Sequence, residues 1–118
     1  MCTLKLQNPF LSRELLYICI GMNTNRLNEN TFVEKAVAAA ADPYRMSILR
    51  EIQQKGFVRC CDVVSLTGLS QPTCSHHIKI LLDSALIESR KEGRNNYFTI
   101  NKNNFRKLSA FFDRFSAT

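Results

Sequence analysis

The sequence predicts a mainly α-helical domain that carries one small β-hairpin before a last helix. Three observations support this. Apolar residues recur at helical spacing in four stretches between Thr31 and Ser84, separated by Asp-Pro, Gly and Ser-x-Pro signals. The period then changes from helical to alternating over residues 86–100, on either side of Gly93. Residues 103–116 return to helical spacing. The chain has 118 residues, 45% of them hydrophobic, which suits one modest core rather than two.

Residues 1–27 read as an extension ahead of a domain at 28–118. Asn8-Pro9 is a turn signal, residues 11–20 suit a short helix, and the run from Gly21 to Asn25 breaks the pattern. A true start at Met22 is the alternative to a folded extension. The organised part begins at Thr31, which with Glu34 has the spacing of a capping box. Phe32, Val33, Ala36, Val37 and Ala40 then share one helix face.

Asp42-Pro43 opens a second helix, with Asp as N-cap and Pro where its missing amide proton is not needed. Met46, Ile48, Leu49 and Ile52 point inward, and Gly56 stops the helix. Phe57-Val58-Arg59 is short and β-prone. A brief third helix over residues 61–67 ends at Gly68. Ser70 caps a fourth, with Pro72 in its first turn, that runs to about Ser84. Strands are expected at 86–90 and 96–100, joined by a polar turn over residues 91–95.

This is the order of a winged helix-turn-helix, in which the second helix of the pair enters the DNA major groove. In the fourth helix Cys74, Ile78, Leu81, Leu82 and Ala85 form an apolar stripe. The other side carries Thr73, His76 and Lys79, with His77 on the flank and Gln71 in the first turn. Such side chains reach base edges and phosphates at short range, and Gln suits adenine. An ordinary solvated helix face is the competing reading. Arg90, Lys91 and Arg94 cluster in the hairpin, where a basic loop reaches phosphates or the minor groove. The net charge of +6 agrees with a polyanionic partner. From Ser70 onward Lys and Arg number eight against four acids, so the excess lies toward the hairpin.

Residues 41–49, Ala-Asp-Pro-Tyr-Arg-Met-Ser-Ile-Leu, resemble the "ADPTRLRIL" opening of the ArsR/SmtB family of bacterial repressors. Residues 69–79, Leu-Ser-Gln-Pro-Thr-Cys-Ser-His-His-Ile-Lys, resemble its "LSQPTVSHHLK" recognition helix, and Arg90 to Tyr97 resemble its wing. The resemblance covers about residues 31–116. It implies a homodimer that occupies an operator and leaves it when an effector binds. It also implies DNA contacts by Gln71, Thr73, Ser75, His76 and Arg94, and pairing of first and last helices. The last helix suits a dimer on its own terms. Phe105, Leu108, Phe112 and Phe115 follow a seam-like spacing that Phe111 widens.

The effector is the open part of the reading. A common metal site of the family is Cys-x-Cys followed by Asp near the third helix; here the stretch is Val58-Arg59-Cys60-Cys61-Asp62. Adjacent thiols depart from that pattern, and one pair is too few for a full thiophilic metal or metalloid site, though Cys2 or Cys19 could add ligands. The family's second site, on the last helix, is absent, because Asp113 is the only acid there and no His is present. Thiol oxidation at Cys60 or Cys61, favoured by Arg59, is the alternative, and simple core packing a third, foremost for Cys74. Five cysteines without repeated spacing point to a reducing cytoplasm, and the apolar run at 15–22 is too short to cross a bilayer, which takes about 20 residues. A regulator without an effector and a protein-docking winged helix remain as alternatives. An enzyme is the weakest reading, for want of a Gly-rich phosphate loop, spaced carboxylates or a nucleophile–base pair.

Overall fold

A computed structural model describes residues 24–117 of the chain. The short helix expected at 11–20, Cys2 and Cys19 lie outside the described residues. The elements are α1 (Thr24–Ala40), α2 (Pro43–Lys55), α3 (Cys60–Thr67), α4 (Gln71–Asp83), β1 (Ile87–Glu92), β2 (Asn95–Ile100) and α5 (Lys102–Ser116). The chain divides into two compact units after Phe32, and the first contributes only the opening of α1 to the described part. No helix among the described residues is long and apolar enough to cross a membrane.

α1 corrects two expectations. It begins at Thr24, so Thr31 and Glu34 lie inside it and form no capping box. No Pro or Gly stands between Thr24 and Ala40 to stop the helix from propagating toward its N-terminus. Its buried line is Val33, Ala36 and Ala39, while Val37 is 43% exposed. The run of alanines at 38–41 carries no size difference by which to fix the inward register.

α2 starts as its Asp-Pro pair requires. The Asp42 carboxylate accepts from the amides of Tyr44 and Arg45 at 2.8 and 3.1 Å. The Arg45 amide foremost, and Tyr44's as well, hold the Asp42 carboxyl below its ordinary value against the opposing effect of burial. Gly56 closes the helix in the left-handed conformation. Ile48, Leu49 and Ile52 are buried; Met46, expected inward, is 36% exposed.

Val63 of α3, Cys74, Ile78 and Leu81 of α4, Leu86 just before the hairpin, and Ile87 and Phe98 within it complete the core with Val58. Val58 exchanges two backbone hydrogen bonds with Phe98, at 3.0 and 2.8 Å, so the segment before α3 is pinned to the wing. β1 and β2 pair antiparallel from Ile87↔Ile100 to Glu92↔Asn95. The connection is therefore two residues, Gly93-Arg94, instead of the five expected. Only Gly93 of the two has positive φ, the signature of a II′ turn.

α4 ends in a Schellman motif: Leu86 N–H reaches Leu81 O at 3.3 Å and Ala85 N–H reaches Leu82 O at 3.0 Å. The left-handed residue is Ala85, φ 62°, in place of the usual glycine. α5 is capped by the Asn101 side chain and tied back through Asn104, whose Nδ2 donates to Ala85 O at 2.7 Å. None of its residues is buried in the single chain.

Candidate nucleic-acid interface

The surface of interest is built by α3, α4 and the wing. Thr67 fixes the turn between the two helices. Its hydroxyl donates to Val63 O at 2.8 Å, accepts from Leu69 N–H at 3.2 Å and lies 3.4 Å from the Cys74 thiol. Cys74 is fully buried, so this thiol belongs to the turn and core. Ser70 accepts from the Thr73 amide and shares a 2.8 Å hydroxyl contact with Thr73.

With Cys74, Ile78 and Leu81 turned inward, Gln71, Thr73, Ser75, His76 and Lys79 are all exposed. His77 does not join them. It stands three residues after Cys74 and four before Leu81, which sets it at the edge of the buried stripe. Its Nδ1 accepts from Arg45 Nη1 at 3.1 Å, and its ring packs 5.8 Å from that of Tyr44. His77, expected on the flank of the DNA-facing side, is thus half-buried and helps to anchor α4 on α2.

Arg45 is a residue that sequence reasoning missed. Its Nε donates to Ala39 O at 2.7 Å and its Nη2 to Ala38 O at 3.5 Å, at the carbonyl end of α1. A cation there satisfies orphan carbonyls and complements the helix dipole. One guanidinium thus ties the end of α1 and the helix α4 to α2. Its partner His77 lies 32 residues away, so no local pattern marks it.

The wing separates its basic residues. Side chains alternate along a strand, so Arg90 and Lys91 leave opposite faces. Lys91 shares a face with its partner Asn96 and with buried Phe98. Arg90 lies on the other face, where its Nε is 3.6 Å from Glu92 Oε1. Arg94 sits at the exposed tip.

Between α3, α4 and the wing lies an open cleft of about 440 Å³, lined among others by Cys60, Cys61, Ser75, Lys79, Arg94 and Asn96. Cys60 Sγ is 3.7 Å from Ser75 Oγ, and Cys61 Sγ is 4.0 Å from Asp62 Oδ1. The Arg59 amide donates to Asp62 at 2.9 Å, and its guanidinium pairs with the same oxygen at 3.4 Å. The amide bond foremost lowers the Asp62 pKa, burial opposing, and the side-chain contact raises that of Arg59. Among the described residues no group of three or more Cys, His, Asp or Glu converges to hold a metal. Among the described residues, the two adjacent thiols and an arginine-bound carboxylate by themselves do not make the converging thiolate set that a thiophilic metal or metalloid needs.

A helix-turn-helix with a basic hairpin beside its second helix is a winged helix-turn-helix DNA-binding domain. A family model described as a helix-turn-helix domain matches residues 40–90. Over 62 residues the chain is 36% identical to an HTH-type transcriptional regulator of Methanocaldococcus jannaschii, covering 52% of this chain and 70% of that protein. Over 68 residues it is 35% identical to the arsenical resistance operon repressor of Bacillus subtilis, covering 58% of this chain and 65% of the relative, just under two thirds. The solution structure of a homodimeric winged helix-turn-helix domain from Mycobacterium bovis superposes with a TM-score of 0.65 at 23% identity, covering 81% of this chain and 89% of that one. The chain belongs to the ArsR family of winged helix-turn-helix transcriptional regulators. It is a DNA-binding regulator of transcription.

Proposed function

We propose that the protein is a repressor acting as a homodimer on a palindromic operator, with Gln71, Thr73, Ser75 and His76 reading the major groove and Lys79, Arg94 and Lys91 holding the phosphate backbone. The observation that carries this reading is the exposed polar face of α4, set opposite a fully buried stripe and beside the basic tip of the wing. Arg90, turned to the other face and paired with Glu92, contributes little.

The apolar face of α5 supports the dimer. Phe105, Leu108 and Phe111 are half-buried, and Phe112 and Phe115 are 46% and 69% exposed in the single chain. A second copy pairing α5, and α1 with it, would cover this face. The Mycobacterium bovis domain of the same fold is described as homodimeric. Two α4 helices would then enter successive major grooves about 34 Å apart. Bound there, the dimer blocks transcription from its promoter. It works in the cytoplasm and catalyses no reaction. Release is by thiol chemistry at Cys60 or Cys61, beside the reading helix.

Hydroxyl-radical footprinting on the DNA upstream of the protein's own gene tests this reading. Two protected patches related by a dyad, about one helical turn apart, are expected. A single patch, or uniform weak protection, counts against the palindromic dimer.

A further inference from the structure

The thiol pair shares one cleft with Ser75, Lys79 and Arg94 of the proposed DNA face, and among the described residues no carboxylate lines it. Neither cation forms an ion pair among the described residues, whereas Arg59 is tied to Asp62. The volume of about 440 Å³ falls within the range of small-molecule sites, roughly 300–1,000 Å³. Cys60 faces Ser75 of α4, while the Cys61 thiol lies against the Asp62 carboxylate, which repels an anion.

A disulfide between the two thiols is disfavoured by geometry. Consecutive Cα atoms are about 3.8 Å apart across a trans peptide. Protein disulfides need roughly 4.4–6.8 Å. Cys74 is fully buried behind the turn and offers no alternative partner. The partner sulfur for Cys60 is therefore sought outside the described fold.

We propose that Cys60 is a site of mixed-disulfide formation with a small, carboxylate-bearing disulfide, and that the adduct excludes DNA by occupying the cleft itself. The thiolate of Cys60 attacks one sulfur of the small disulfide, which is the oxidant. A new S–S bond forms, the reagent's S–S bond breaks, and the departing thiolate takes up the proton that Cys60 released. The carboxylates of the retained half lie against Lys79 and Arg94, cancelling charge that phosphates would otherwise meet. Excess thiol reverses the exchange. The inference rests on the reading of Ser75, Lys79 and Arg94 as DNA-facing.

The test uses the full chain, reduced, with oxidised glutathione as the probe, intact mass and peptide mapping to locate the adduct, and fluorescence anisotropy on promoter DNA. One adduct on Cys60 is expected, with DNA affinity lowered on the order of tenfold or more and restored by dithiothreitol. Bound DNA should slow the modification. Cys60→Ser should keep, after treatment, the affinity it has before it. A methylthio cap on Cys60, small and neutral, should weaken binding by no more than about threefold, because it neither fills the cleft nor adds charge. Equal losses from both caps would overturn direct exclusion. An adduct confined to Cys61, or a Cys60 adduct that leaves affinity unchanged, would overturn the site. Failure of the reduced, unmodified protein to bind DNA at all would instead overturn the DNA-face reading on which the proposal rests.

Discussion

Ala85→Gly should stabilise the protein. Ala85 is the one non-glycine residue with positive φ among those described, at 62°. Its Cβ in the left-handed region costs about 1–2 kcal/mol. Glycine removes that strain but has a freer unfolded chain, which returns roughly 0.4–1 kcal/mol. The net gain is about 0.8 kcal/mol at the centre of these ranges, or a rise of roughly 3–6 °C in Tm for a domain of this size. Gly68 provides the reciprocal experiment. It closes α3 at φ 72°, and a Cβ built there meets nothing within 4 Å. Gly68→Ala therefore introduces the strain without a clash and should lower stability by about 1 kcal/mol. Thermal and urea unfolding of the two variants, with unchanged m-values, checks the pair. A lower Tm for Ala85→Gly would refute the assignment of strain to the end of α4.

Asp42→Ala should cost about 1 kcal/mol near neutral pH through loss of the α2 cap. The Asp42 pKa is lowered from 3.8 in the fold, so its contribution is present above that value and lost as pH falls through the folded pKa. The stability gap between wild type and variant should therefore close in acid, as followed by urea titration at stepped pH. Arg45→Ala should destabilise by about 2–3 kcal/mol in chemical denaturation, since it leaves carbonyls of α1 and His77 without their shared donor. Phe112→Glu should give monomers in sedimentation velocity; a dimer of unchanged strength would move the interface away from α5. Arg94→Ala should reduce the slope of log affinity against log salt by about 0.9, while Arg90→Ala should leave it nearly unchanged. Equal effects would contradict the placing of Arg94 at the DNA-facing tip and of Arg90 on the face turned away.

Those elements whose ends carry their own chemistry are legible in the sequence. Asp42-Pro43 and Gly56 bound α2, and Ser70 with Pro72 opens α4 where the capping residue stands. The exposed side of α4 follows directly from the spacing of Cys74, Ile78 and Leu81. α1 is less legible, because a Thr-x-x-Glu spacing also occurs inside helices and the run of alanines hides the inward face. The hairpin turn is overestimated because Lys91, Glu92 and Asn95 are polar yet paired. His77 and Arg45 depend on a contact between residues far apart in the chain, which no window of sequence can show. The cleft also arises only in three dimensions, once Val58 is bonded to Phe98 and the start of α3 is held against the wing.

The most direct test of the account is a fluorescence-anisotropy titration of promoter DNA and a scrambled duplex with wild type, Lys79→Ala and His76→Ala, all reduced. The account predicts that Lys79→Ala weakens binding to both duplexes alike, as a lost phosphate contact does, and that His76→Ala weakens only the promoter duplex. If both variants bind both duplexes as wild type does, the exposed face of α4 is not the DNA-reading surface.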